Sequence, residues 1–79
     1  MENIINNERI KMTNAEFLII QYKKQFNKYN FSLVYSVENN ARMNIIITDN
    51  QEKKAYCGIS TKNIDFVKSF LRKNLEKLA

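Results

Sequence analysis

"FSLVYSVENNARMNIIITDNQEKKAYCGIS", residues 31–60, is the stretch on which the fold turns. It holds three short apolar runs separated by two polar ones. In "FSLVYSV" the residues Phe31, Leu33, Tyr35 and Val37 face one way, and Ser32, Val34 and Ser36 the other, because strand side chains alternate. "MNIIITD" sets Met43, Ile45 and Ile47 on one face, and "AYCGIS" groups Ala55, Cys57 and Ile59. The runs are too short for helices, rich in β-branched residues, and bounded by the turn-forming segments "ENNAR" and "DNQEK". Three strands are expected.

Their register follows from making the apolar faces coincide across antiparallel neighbours. Tyr35 then pairs with Ile45 and Val37 with Met43. This leaves Asn39–Ala41 as a tight loop closed by Glu38 opposite Arg42. For the second hairpin, Ile47 pairs with Ala55 and Ile45 with Cys57, leaving Asn50–Glu52 closed by Asp49 opposite Lys53. Each turn gains an opposite-charge pair. The second sheet face carries Val34, Ile46 and Tyr56 in a row, among Ser32, Ser36, Asn44, Thr48 and Lys54.

Helices are expected on both sides of this meander. "TNAE" at 13–16 reads as a capping box, with Thr13 as cap and Glu16 reaching back, and Met12 and Phe17 as its hydrophobic staple. From about Asn14 to Tyr29, the residues Ala15, Leu18, Ile19, Tyr22, Phe26 and Tyr29 share one helical face, and Asn30 suits the C-terminal end. A last helix starts near Ser60 or Thr61 as cap, with Ile64, Val67, Leu71, Leu75 and Leu78 as its apolar seam. Lys73 and Lys77 suit its C-terminal end. The expected fold is α+β: a two-layer αβββα domain over 13–79, with a three-stranded antiparallel meander and both helices on one face. Residues 1–12 read as a polar leader, either folded back or disordered.

Composition bounds the function. The chain has 79 residues, 44% of them hydrophobic, no proline and one glycine, which suits one small folded domain. Its net charge of +5 and pI near 9.5 point to an anionic partner such as nucleic acid, a nucleoprotein or an acidic protein surface. Cys57 is the single cysteine, so no internal disulfide forms, and a small buried apolar role is expected for it. The start of the chain has no long apolar run, so neither signal peptide nor membrane span is expected and the protein is assigned to the cytoplasm.

The residues for catalysis are missing. There is no histidine, which removes Ser-His and Cys-His nucleophile pairs and His-containing zinc sites. Gly58 is the one glycine, so no glycine-rich phosphate loop exists. "DNQE" at 49–52 lacks the spacing and glycine of a calcium-binding loop. A non-enzyme without cofactor or metal is expected.

Some apolar residues lie off the core stripes. At ~100° per residue, Phe66 sits well round from the last helix's seam and Phe70 near its edge, on a strip with Lys62, Lys73 and Lys77. The first helix repeats this with Phe17 and Ile20 beside Lys24 and Lys28. Three arrangements account for such patches. Residues 1–12, with Ile4, Ile5, Ile10 and Met12, fold over them. Alternatively the two helices lean together, or the patches form a recognition surface, whether a protein interface, a homodimer seam or a platform for single-stranded nucleic acid. Tyr56 on the sheet's second face is a further contact candidate.

The element order resembles the double-stranded RNA-binding domain over about residues 13–78. At the junction of third strand and second helix, "GISTKNID" supplies Gly58, Ser60 and Lys62, with Ile64 in the small apolar slot of that family's lysine-bearing segment. The resemblance implies that Lys62 would contact phosphates across a groove. Thr61 and Asp65 stand where the family carries two further lysines, and the first hairpin lacks its longer, histidine-bearing loop. In size, element order and asparagine-lysine-isoleucine bias the chain is also similar to small anti-CRISPR inhibitors encoded by phages of low-GC bacteria. That likeness implies a non-enzymatic inhibitor in the bacterial host's cytoplasm, acting by surface occlusion on a nucleoprotein target. Direct nucleic-acid binding is the alternative.

Overall fold

The structure, a computed structural model, describes residues 14–79. The leader, the Thr13 cap and the Met12 staple lie outside the described residues. The element order is α1 (Asn14–Asn27), β1 (Phe31–Val37), β2 (Met43–Asp49), β3 (Lys54–Thr61) and α2 (Ile64–Leu78). The strands form one antiparallel sheet in the order β1-β2-β3. A single core joins Ala15, Ile19 and Phe26 of α1 to Leu33, Met43, Ile45 and Ile47 of the sheet and Val67 and Leu71 of α2. All the sheet members of this core share one face, so both helices cover that face and the architecture has two layers.

α1 stops sooner than its apolar period suggests. Lys28, Tyr29 and Asn30 donate backbone N–H groups to the carbonyls of Gln25, Phe26 and Asn27 at 3.0–3.2 Å, a tighter winding than α-helix. Asn30 then takes φ 68°, the left-handed conformation asparagine tolerates at a helix end. Tyr29 is consequently turned out of the core and exposed.

β1 and β2 pair as expected, with Tyr35 opposite Ile45 and Val37 opposite Met43. Glu38 N–H donates to Arg42 O and Ala41 N–H to Glu38 O, both at 2.9 Å. Ala41 sits at φ 70°, the left-handed position that follows a type I turn in a three-residue hairpin loop. Arg42 and Glu38 are joined through side chains between them. The guanidinium donates to Ser60, the Ser60 hydroxyl donates to Asn44 at 2.7 Å, and the Asn44 amide donates to Glu38 at 2.8 Å.

The second hairpin differs from expectation. Ile45 faces Ile59 and Ile47 faces Cys57, two residues further along β3 than the alternation suggests. The pairing then slips between Ile47 and Thr48, so Thr48 faces Ala55, Asp49 faces Lys54, and Tyr56 is the extra residue of a β-bulge. Asp49 stabilises the loop by accepting from the N–H groups of Gln51 and Glu52. The bulge moves Ala55 to the uncovered face. It also turns Tyr56 towards Phe31, whose ring it meets edge-on at a centroid distance of 5.4 Å. Because Phe31 packs against the core, Tyr56 belongs at the corner of the helix-covered face and not in the outer row with Val34 and Ile46.

α2 also starts later than expected. Ser60 and Thr61 still pair with Asn44 and Met43 in the sheet, so neither can cap. Asn63 does so, accepting from Asp65 N–H at 2.8 Å. The seam of α2 contains one polar residue: Asn74 is buried, donates to Phe70 O at 2.8 Å and accepts from the Cys57 thiol at 3.3 Å.

Candidate functional site

α1 runs towards the start of β1, and the chain then reverses twice. The Cys57–Asn74 contact shows that α2 runs back along β3. The helices therefore point the same way, with both N-termini at the first hairpin and both C-termini at the second.

This topology sorts the candidate residues by end and by flank. Phe17 and Phe66 lie in the first turns of their helices, beside the first hairpin, and are 58% and 60% exposed. Lys62, in the short link before α2, belongs to the same end. Phe70 does not join them: it is half-buried and packs against the core, so of the α2 pair only Phe66 projects from the described residues. Core packing thus accounts for Phe70, whereas Phe17 and Phe66 are left uncovered by the other described residues.

Lys24, Lys28, Lys73 and Lys77 gather at the opposite end, all exposed. The structure adds Lys53 and Lys54 of the second hairpin to them, which sequence periodicity missed because it reports faces and not ends. Two helix C-termini converge there, and their partial negative charge favours lysine in the last turns. The strip of phenylalanine and lysine expected on each helix is therefore divided along its length, with Phe17, Phe66 and Lys62 at one end and the other lysines towards the opposite end.

Ile20 lies elsewhere again. It lines a groove of about 340 Å³ between α1 and β1, with Phe31 and Leu33 as further apolar walls and Lys23 and Lys24 at the rim. Tyr56, 45% exposed, is held beside Phe31 at the sheet corner.

Burial pushes the Cys57 thiol above its ordinary pKa, and the nearby Lys77 ammonium offsets part of that rise. The protonated thiol is thereby favoured, and it donates to Asn74 Oδ1 at 3.3 Å. Among the described residues no group of three or more cysteine, aspartate or glutamate side chains gathers as a metal site, and no helix is long and apolar enough to cross a membrane.

The chain matches no protein-family model, no curated protein and no solved structure.

Proposed function

We propose that the protein is a small non-enzymatic binding protein that acts by occluding a surface of a nucleoprotein target in the cytoplasm. The observation that carries this reading is the exposure of Phe66 on the first turn of α2, with Phe17 at the same end of α1. Large aromatic side chains projecting from rigid helix ends lose little conformational freedom on docking and serve as interface anchors. Lys62 beside them and the overall charge of +5 favour an acidic protein patch or an RNA-bearing complex as the target. An inhibitor of the anti-CRISPR type, encoded by a phage or mobile element, is the sharpest form of this reading. Chain size, element order and composition support that form.

Direct nucleic-acid binding is the second reading, and the lysines converging at the second-hairpin end favour it. That surface is distinct from the Lys62 contact implied by the double-stranded RNA-binding-domain likeness, since Lys62 sits at the other end.

The two readings separate in two experiments. The purified protein is titrated with duplex RNA, duplex DNA and single strands across a salt series. Nucleic-acid binding through the basic end weakens steeply with salt and is lost when Lys24, Lys28, Lys73 and Lys77 are changed to glutamine. Absence of binding at low salt rejects it. Protein capture, using the wild-type chain and Phe66→Ala as paired baits, then tests the first reading. A partner retained equally by both baits would reject Phe66 as the anchor.

A further inference from the structure

We propose that the edge of β1, unpaired among the described residues, with the groove beside it, binds an extended acidic peptide segment of a partner protein by strand addition. This site lies on the α1 flank and goes beyond the Phe66 surface.

The ladder fixes which backbone groups are free. Glu38 N–H donates to Arg42 O at one end of β1, and Asn50 N–H to Asn30 O at the other. Antiparallel pairs alternate between hydrogen-bonded and open. Even-numbered residues from Asn30 to Glu38 therefore bond to β2. Leu33, Tyr35 and Val37 direct their N–H and C=O groups away from it, at the sheet's edge.

The two edges of the sheet are built differently. β3 carries a bulge and Lys54, devices that discourage pairing with another strand. β1 has seven residues, "FSLVYSV", with unbroken register and without charge, proline or bulge. A regular uncharged edge of this length is a template for a further strand.

The groove supplies specificity. It is lined by inward-facing Phe31 and the buried Leu33 together with outward-facing Ser32, so it opens along the strand's edge beneath Ile20. An added strand would direct alternate side chains into it. Its apolar walls accept a branched aliphatic residue, and Lys23 and Lys24 at the rim accept carboxylates. Charge decides between occupants: a second copy would bring +5 against +5, whereas an acidic segment is complementary.

The test uses the full chain, isotope-labelled, and a synthetic nine-residue peptide alternating glutamate and valine. In the free protein the amides of Leu33, Tyr35 and Val37 are expected to exchange with solvent much faster than those of Val34 and Ser36. On titration these three amides should shift and become protected. N-methylation of the peptide's alternate amides should abolish the effect. Lys23→Glu with Lys24→Glu should weaken binding on the order of tenfold through the lost carboxylate pairing. Val37→Pro, which removes an edge donor while sparing the β2 ladder, should weaken it several-fold with the circular dichroism spectrum unchanged. Four results would overturn the proposal: no shift at millimolar peptide, shifts confined to α2, edge amides already protected in the peptide-free monomer, or a dimer by light scattering that protects them.

Discussion

At the scale of single residues, the hairpins use left-handed positions without glycine. Ala41 at φ 70° occupies the loop position where a side chain crowds its own backbone. Replacing it by glycine removes that crowding at some cost in unfolded-chain entropy. The relief is the larger effect, so Ala41→Gly should stabilise the protein by about 1 kcal/mol. A urea titration checks this through a raised midpoint at unchanged slope. Cys57 gives a pH signature. Its folded pKa lies above the unfolded value, so its contribution is complete below the ordinary thiol pKa and is lost as pH rises through the folded one. Stability should therefore fall on the alkaline side of about pH 8.5. Midpoints for wild type and Cys57→Ala across this range should show a shallower decline in the variant. Equal slopes would remove Cys57 as the cause.

At the scale of elements, the start of α2 shows where sequence periodicity stops being decisive. Ser60, Thr61 and Asn63 are all competent caps, and sheet pairing chooses among them by holding the first two in β3. Asn63→Ala should cost about 1 kcal/mol, and Asn63→Asp should retain most of that stability. Thermal melts of both variants beside Ser60→Ala decide whether the cap lies where the hydrogen bond to Asp65 places it. The strands were legible because alternation survives in seven-residue runs, and the β1–β2 register because a short loop leaves little freedom. The β2–β3 register was not, since the bulge at Tyr56 shifts the phase without marking the composition. The same limit applies to the candidate surfaces. The helical angle of Phe66 placed it off the core seam but left open what covers it, and Phe70 lies near the seam's edge, where tertiary packing decides. That difference is measurable. Phe66→Ala should change stability by less than about 0.5 kcal/mol, and Phe70→Ala should cost roughly 2 kcal/mol or more because it vacates core contacts.

At the scale of the whole molecule, a two-layer domain has one sheet face covered and one open. The middle strand reports both, since Ile45, Ile46 and Ile47 are chemically identical and alternate between the faces. Ile45 and Ile47 are fully buried between the sheet and two helices, whereas Ile46 is 45% exposed opposite Val34 and Gly58. Truncating a fully buried isoleucine costs about 2–5 kcal/mol. A domain of this size has little more than that in total, because its surface is large for its volume. Ile45→Ala should thus leave much of the protein unfolded at 25 °C, in one cooperative step that takes helices and sheet together, since the side chain belongs to the single core. Ile46→Thr keeps a β-branched side chain on the open face, and its stability should stay within about 0.5 kcal/mol of wild type. Circular dichroism during urea unfolding, read at helix and aromatic wavelengths, distinguishes the cases. A large loss from Ile46→Thr would show that the second face is covered in solution, and the search for a partner surface would move there from the helix ends.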